Sequence, residues 1–202
     1  MRDTRAIAAA TAARIGPNAI TRMTEALAAE IGEAATGRLY ARAGLSNYLS
    51  APPREMVPEE DVVTLHRLVR HELGRDRAAR VGAVAGRRTG DYLLAHRIPQ
   101  LAQVLLRLMP RRLAASMLVR AIARNAWTFV GSGMFAAEAG AHVCITIADC
   151  PLCRNAHASA PLCSYYAATF ERLFRALVHP RATVVETQCR GAGDRACVFE
   201  VH

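Results

Sequence analysis

Six cysteines, and one carboxylate close in sequence to two of them, are the residues best suited to chemistry in this chain. It closes with ETQCRGAGDRACVFEVH, residues 186–202, where Cys189 and Cys197 flank a glycine-bearing loop and Glu186 stands three residues upstream. If residues 190–195 turn a hairpin, the two cysteines face each other across antiparallel strands with Cβ atoms about 5 Å apart. Thiolates at that separation can share a zinc ion, bonded at about 2.3 Å to each sulfur, with Glu186 adding a hard oxygen from the same strand end. A fourth ligand has to come from elsewhere. Cys163 is the strongest choice, because it follows Ser159 and Pro161 in the first turn of an expected helix, where backbone amides and the helix dipole stabilise a thiolate. Cys150 and Cys153 compete as a C-x-x-C, the more familiar ligand spacing taken alone. Cys144 is expected to point from a strand into the core. The residues by themselves leave three readings open: a metal site, buried inert thiols, and redox or other pairings.

Two kinds of element must position these residues. The first two-thirds of the chain has helical patterning, with helices expected over 3–14, 17–34, 36–49, 59–73, 75–97, 99–109 and 111–126. Gly16-Pro17, the APP at 51–53, Pro58, Pro99 and Pro110 punctuate them. Val62, Leu65, Val69 and Leu73 follow the spacing of one apolar helical face. After Asn125 the period shortens: strands are expected over 127–135, 142–149, 183–189 and 196–201, with a helix over 159–179 between the pairs. The fold class is α+β, a helical N-terminal region packed on a small four-stranded antiparallel sheet. Residues 1–120 form the helical part of one globular unit and 121–202 the part that carries the cysteines.

Composition narrows the function further. At 202 residues the chain can bury a real core. Its 26 basic residues are all arginine, so no Schiff-base lysine and no phosphate-loop lysine exists. The net charge of +9 invites a nucleic-acid reading, but the arginines are scattered and no nucleic-acid module is present. Arginine also pairs bidentately with carboxylates, which suits an acidic small molecule or partner. The alanine-rich start is broken by Arg14 and reads as a first helix, not a signal peptide. Arginines and His96 interrupt the most apolar region, so no transmembrane segment is expected, the expected location is cytoplasmic, and thiols or metal ligands are favoured over disulfides.

The spacing PLC-x25-C-x7-C, with E-x-x-C leading into GxGDxxC, resembles the vinyl-4-reductase domain, a small ligand-binding domain also found as the sensory part of aromatic-responsive bacterial regulators. The resemblance covers roughly residues 120–202. It implies a zinc ligand set of Cys163, Glu186, Cys189 and Cys197, four protein ligands in a closed structural site with no position for a catalytic water. Cys150 and Cys153 have no counterpart in that pattern. Over most of the chain, with MVPEEDVVTLHRLVR and YYAATFERLFRALVHP, the sequence is similar to a family of bacteriochlorophyll-biosynthesis proteins historically labelled 4-vinyl reductases. That resemblance implies a magnesium porphyrin ligand, such as magnesium protoporphyrin IX or its monomethyl ester. It also implies a homodimer, and as partners the porphyrin-binding subunit of magnesium chelatase and the methyltransferase that follows it.

A vinyl reductase needs a source of hydride or electrons. No G-x-G-x-x-G follows a strand, and neither a flavin motif nor an iron-sulfur spacing is present. A carrier of magnesium porphyrins is therefore favoured, with a reductase using an external electron donor as the alternative and a sensory module behind both. A magnesium porphyrin asks for an apolar slot, an axial donor, and cations for its propionates. His96 and His142 are the imidazoles considered as axial donor and Trp127 the ring considered for stacking. Arg97, Arg111, Arg112, Arg120 and Arg124 are the cations considered for the propionates, while the pairs Arg87-Arg88 and Arg111-Arg112 suit an acidic partner equally well.

Overall fold

A computed structural model describes residues 13–140 and 142–202. The helix expected over 3–14 falls outside the described residues as far as residue 12, and its last residue is not helical. Arg14–Ile15 form a short strand, β1, paired antiparallel with β2 (Val57–Pro58). The reason is tertiary: Ile15 is buried, and the backbone N–H of Gly16 donates to the carbonyl of Thr128 at 2.7 Å.

Glycines then divide the helical region. α1 (Asn18–Ile31) stops at Gly32, which has φ 79°, and α2 (Glu33–Ala43) stops at Gly44, with φ 72°. At such positive φ a Cβ is disfavoured, so glycine ends a helix that periodicity alone would continue. The helices expected over 17–34 and 36–49 are thus each interrupted, the second leaving only α3 (Asn47–Ser50) beyond Gly44. α4 (Glu59–Leu73), α5 (Arg75–His96), α6 (Gln100–Leu108) and α7 (Arg111–Arg124) match expectation closely. Pro58, Pro99 and Pro110 directly precede α4, α6 and α7.

The second half supplies a sheet of β3 (Met134–Ala139), β4 (Val143–Ala148), β5 (Val184–Gln188) and β6 (Cys197–Val201), in the order β3-β4-β6-β5 with every pair antiparallel. β3 starts seven residues later than the strand expected from 127, because Ala126–Thr128 is a 3-10 turn and Gly131 takes φ 57° against the buried Glu59 carboxylate. Val143, Ile145 and Ile147 of β4 and Cys197, Phe199 and Val201 of β6 alternate onto the buried face. Cys144 lies on the opposite, half-buried face of β4 with Thr146, so the core position expected for it is corrected by one step of the strand's two-residue period.

α8 (Ser164–Leu177) connects β4 to β5 and covers this face with Tyr166, Phe170, Phe174 and Leu177. The Phe170 and Phe199 rings meet edge to face at 5.6 Å. On its other side α8 meets α5 along Gly82, Gly86 and Gly90, one glycine per helical turn. A Cβ on Gly82 would lie 2.6 Å from Ser164 Oγ, and one on Gly86 would meet the Tyr165 carbonyl and Ala168. The missing side chains let the helix backbones approach closely enough for Thr169 Oγ1 to donate to the Gly86 carbonyl at 3.1 Å. No helix among the described residues is long and apolar enough to cross a membrane.

Candidate metal centre and apolar face

Three connections and one strand end converge at the N-terminus of α8. Cys150 and Cys153 sit at the 3-10 turn Pro151–Cys153 that follows β4, and Cys163 immediately precedes α8. Glu186 lies in β5 where its pairing with β6 slips at Glu186/Gln188, Cys189 follows β5, and Cys197 opens β6. Local chemistry sets the approach. Cys189 donates its backbone N–H to Asp194 Oδ2 at 2.8 Å, Gly193 takes φ 105° in the turn, and a Cβ on Gly191 would lie 3.1 Å from Cys153 Cβ.

All five sulfurs here are buried. Cys163 Sγ lies 3.5 Å from Cys150 Sγ and 3.7 Å from Cys197 Sγ, while Cys197 Sγ lies 3.4 Å from Cys153 and 4.0 Å from Cys189. A tetrahedron with metal–sulfur bonds of about 2.3 Å has edges of about 3.8 Å, so these separations suit ligands of a common ion. Two quartets satisfy the requirement: Cys163, Glu186, Cys189 and Cys197, and Cys150, Cys153, Cys163 and Cys197, each with its ligand atoms within 4.8 Å of one another. The structure therefore brings together the four residues that the family pattern implies, and adds the C-x-x-C pair that the pattern leaves out.

The electrostatics fit a cation. Glu186 is buried; its Oε2 accepts the Cys163 backbone N–H at 2.7 Å, and its Oε1 has no hydrogen-bond partner. Burial, reinforced by neighbouring Cys189, pushes its carboxyl up to about 8. An orphaned carboxylate oxygen beside thiols is what a divalent ion would satisfy. Arg70 of α4 closes the other side, donating to the Leu152 carbonyl at 2.8 Å. Burial draws its guanidinium below the usual range, and the Cys163, Cys153, Cys150 and Cys189 sulfurs oppose that shift.

The residues considered for a porphyrin lie elsewhere, on separate elements, and all are exposed. His96 ends α5 with its ring 4.8 Å from that of Tyr92, and Arg97 follows it. His142 precedes β4, 6.4 Å from the ring of His202. Trp127 occupies the 3-10 turn before the sheet, 62% exposed, not the first position of a strand. A cavity beside His66 and Tyr165 of about 20 Å³ suits a water-sized group, not a macrocycle.

A second feature escaped the residue-by-residue reading. α6 exposes Leu101, Val104, Leu105 and Leu108 at helical spacing, and Leu113 and Met117 of α7 are exposed beside it. From 92 to 137 the chain has no acidic residue, while Arg97, Arg107, Arg111, Arg112, Arg120 and Arg124 fall within that span. The signal was available as the acid-free run; only exposure distinguishes the outward leucines from core ones. Arg107 donates to the Ala176 carbonyl at 3.0 Å, which places this face at the C-terminal end of α8, opposite the sulfurs.

Fold and sulfur centre together define a vinyl-4-reductase domain carried by a helical region, and the family of that domain matches residues 143–202. Similarity extends well beyond that segment. The chain is 44% identical over 192 residues to the "Bacteriochlorophyll synthase 23 kDa chain" of Cereibacter sphaeroides, covering 95% of this chain and 92% of the relative. It is 39% identical to the protein of the same name from Rhodobacter capsulatus, covering 94% and 87%. The chain belongs to the family of these bacteriochlorophyll synthase 23 kDa chains. Among solved structures, an H-NOX protein from S. oneidensis in the Fe(II)NO ligation state shares the fold with a TM-score of 0.56 at 10% identity, covering 93% of this chain and 98% of that one. The phenol-responsive sensory domain of PoxR with phenol superposes with a TM-score of 0.53 at 17% identity, covering 79% and 88%.

Proposed function

We propose that this protein is a zinc-stabilised accessory protein of bacteriochlorophyll synthesis that binds magnesium porphyrin intermediates, magnesium protoporphyrin IX or its monomethyl ester, and delivers them between pathway enzymes. The observation that carries the reading is the arginine-edged apolar face of α6 and α7, in a chain whose relatives are named for bacteriochlorophyll synthesis. A flat, largely apolar dianion needs that combination: apolar area for the ring, at roughly 25 cal/mol per Å² before association costs, and cations for the propionates. Gln103 Nε2 donates to the Leu94 and Ile98 carbonyls and ties α6 to the end of α5, so His96 stands beside this face as the imidazole able to reach a magnesium. His142, at the sheet, is the second choice.

Zinc belongs at the other end of α8, held by Cys163, Glu186, Cys189 and Cys197, where it fastens the helix start to the β5–β6 hairpin. Four protein ligands leave no position for catalysis. The role is delivery, so the porphyrin-binding subunit of magnesium chelatase and the following methyltransferase are the partners to test, with a homodimer as the assembly.

Titration of the purified protein with magnesium protoporphyrin should shift the porphyrin absorption band and leave both vinyl groups intact in the presence of NADPH. Leu105→Asp together with Leu108→Asp should weaken binding at least about tenfold, because two charges then replace apolar ring contacts. Vinyl reduction by the isolated protein, or pigment binding unaffected by the double variant, counts against this reading.

A further inference from the structure

We propose that the sulfur centre holds two zinc ions, bridged by the thiolates of Cys163 and Cys197, with Cys150 and Cys153 completing the second site. The inference rests on the zinc reading above and extends it to the C-x-x-C pair, which that reading leaves without a role.

The geometry carries it. Six donors, five sulfurs and one carboxylate oxygen, surround one point of the fold, and one tetrahedral ion uses only four. The six do not divide into one complete set and two bystanders. They divide into two complete quartets that share the same two members, Cys163 and Cys197. Two tetrahedra sharing an edge have that composition, and the shared edge between these sulfurs measures 3.7 Å, against about 3.8 Å expected from the bond length. The outer donors are arranged to match. Cys150 approaches Cys163 at 3.5 Å and Cys153 approaches Cys197 at 3.4 Å on one side, while Cys189 and Glu186 serve the other.

Charge balance favours the second ion as well. A single Zn²⁺ on three thiolates and a carboxylate carries a net charge of about −2, with the Arg70 guanidinium beside it. When the second Zn²⁺ arrives, the Cys150 and Cys153 thiols release their two protons to solvent as two terminal zinc–sulfur bonds form, and each bridging thiolate donates a second lone pair. Two positive charges enter and two protons leave, so the buried net charge is unchanged. The alternative keeps two thiols pressed against metal-bound sulfurs in the interior.

The test is metal counting on the full chain, by native mass spectrometry with elemental analysis, after production in zinc-sufficient medium. Two zinc ions per chain are expected, falling to one in the Cys150→Ser/Cys153→Ser double variant. One zinc per chain, unchanged in the double variant, overturns this inference and leaves the single-zinc reading intact; a chain without metal overturns both. Should the double variant fail to fold, wild-type protein produced with cobalt decides. Two thiolate-bridged Co(II) ions couple their spins and suppress the low-temperature EPR signal, whereas a signal integrating to one or two uncoupled Co(II) per chain overturns the bridge.

Discussion

The backbone N–H of Cys163 donates to Glu186 Oε2 at 2.7 Å, so a single carboxylate both fixes the first turn of α8 and holds its second oxygen, Oε1, free of any hydrogen bond. Glu186→Gln keeps the acceptor for Cys163 but replaces an anionic ligand with a neutral amide. Zinc should be stripped by a competing chelator at roughly tenfold lower chelator concentration, with the circular dichroism spectrum retained before stripping.

Cys189→Ser should go further, because it removes a sulfur ligand from a wholly buried site. Structural zinc contributes on the order of 10 kcal/mol to folding, so loss of the ion should appear as a large drop in Tm measured together with zinc content. An unchanged Tm with zinc absent would show that the metal holds nothing in place.

The α5–α8 contact predicts its own sensitivity. Gly86→Ala places a methyl against the Tyr165 carbonyl and 3.0 Å from Ala168 Cβ, and overpacking of this kind costs about 1–3 kcal/mol. Gly37→Ala, on an open helix surface, should be neutral or slightly stabilising. Chemical denaturation of the two variants tests the contrast.

Glu59 is buried at the start of α4, where it accepts from Ser132 Oγ at 2.9 Å and pairs with Arg154 from the segment just after Cys153. Glu59→Ala leaves the arginine without its main partner and should cost about 3–5 kcal/mol, read from the denaturation midpoint. The loss should also loosen zinc retention, because Arg154 adjoins the C-x-x-C turn.

His66 sets a pH dependence. Burial, with the nearby Arg70 charge, lowers its pKa from 6.5 to about 3, so the folded state holds it neutral where the unfolded chain would protonate it. The fold keeps its full stability above pH 6.5 and loses it as pH falls from there towards 3, at up to about 1.4 kcal/mol per pH unit. His66→Phe should show a shallower decline over that window in urea denaturation, and an equally steep decline would assign the acid sensitivity to other groups.

The order of elements, the α+β class and the types of residue in the zinc quartet were legible in the sequence, because proline and glycine punctuation and hydrophobic period are local properties. So were four of the strands, with the first displaced. Locating β3 depended on Gly131 yielding to the Glu59 carboxylate, a contact between residues far apart in the chain. β1 and β2 were invisible because two-residue strands have no period, and are defined only by pairing with each other.

What the sequence by itself determined is which side chains can bind a soft divalent ion and which segments can be helix or strand, since ligand type and periodicity are written residue by residue. What the tertiary structure decided is who meets whom. Cys150 and Cys153 join the centre only because the turn after β4 folds back beneath the start of α8, and the leucines of α6 face outward only because no further layer among the described residues covers them. Distance and exposure are relations between segments, fixed by how the α5–α8 helix pair and the sheet pack, and no spacing along the chain encodes them.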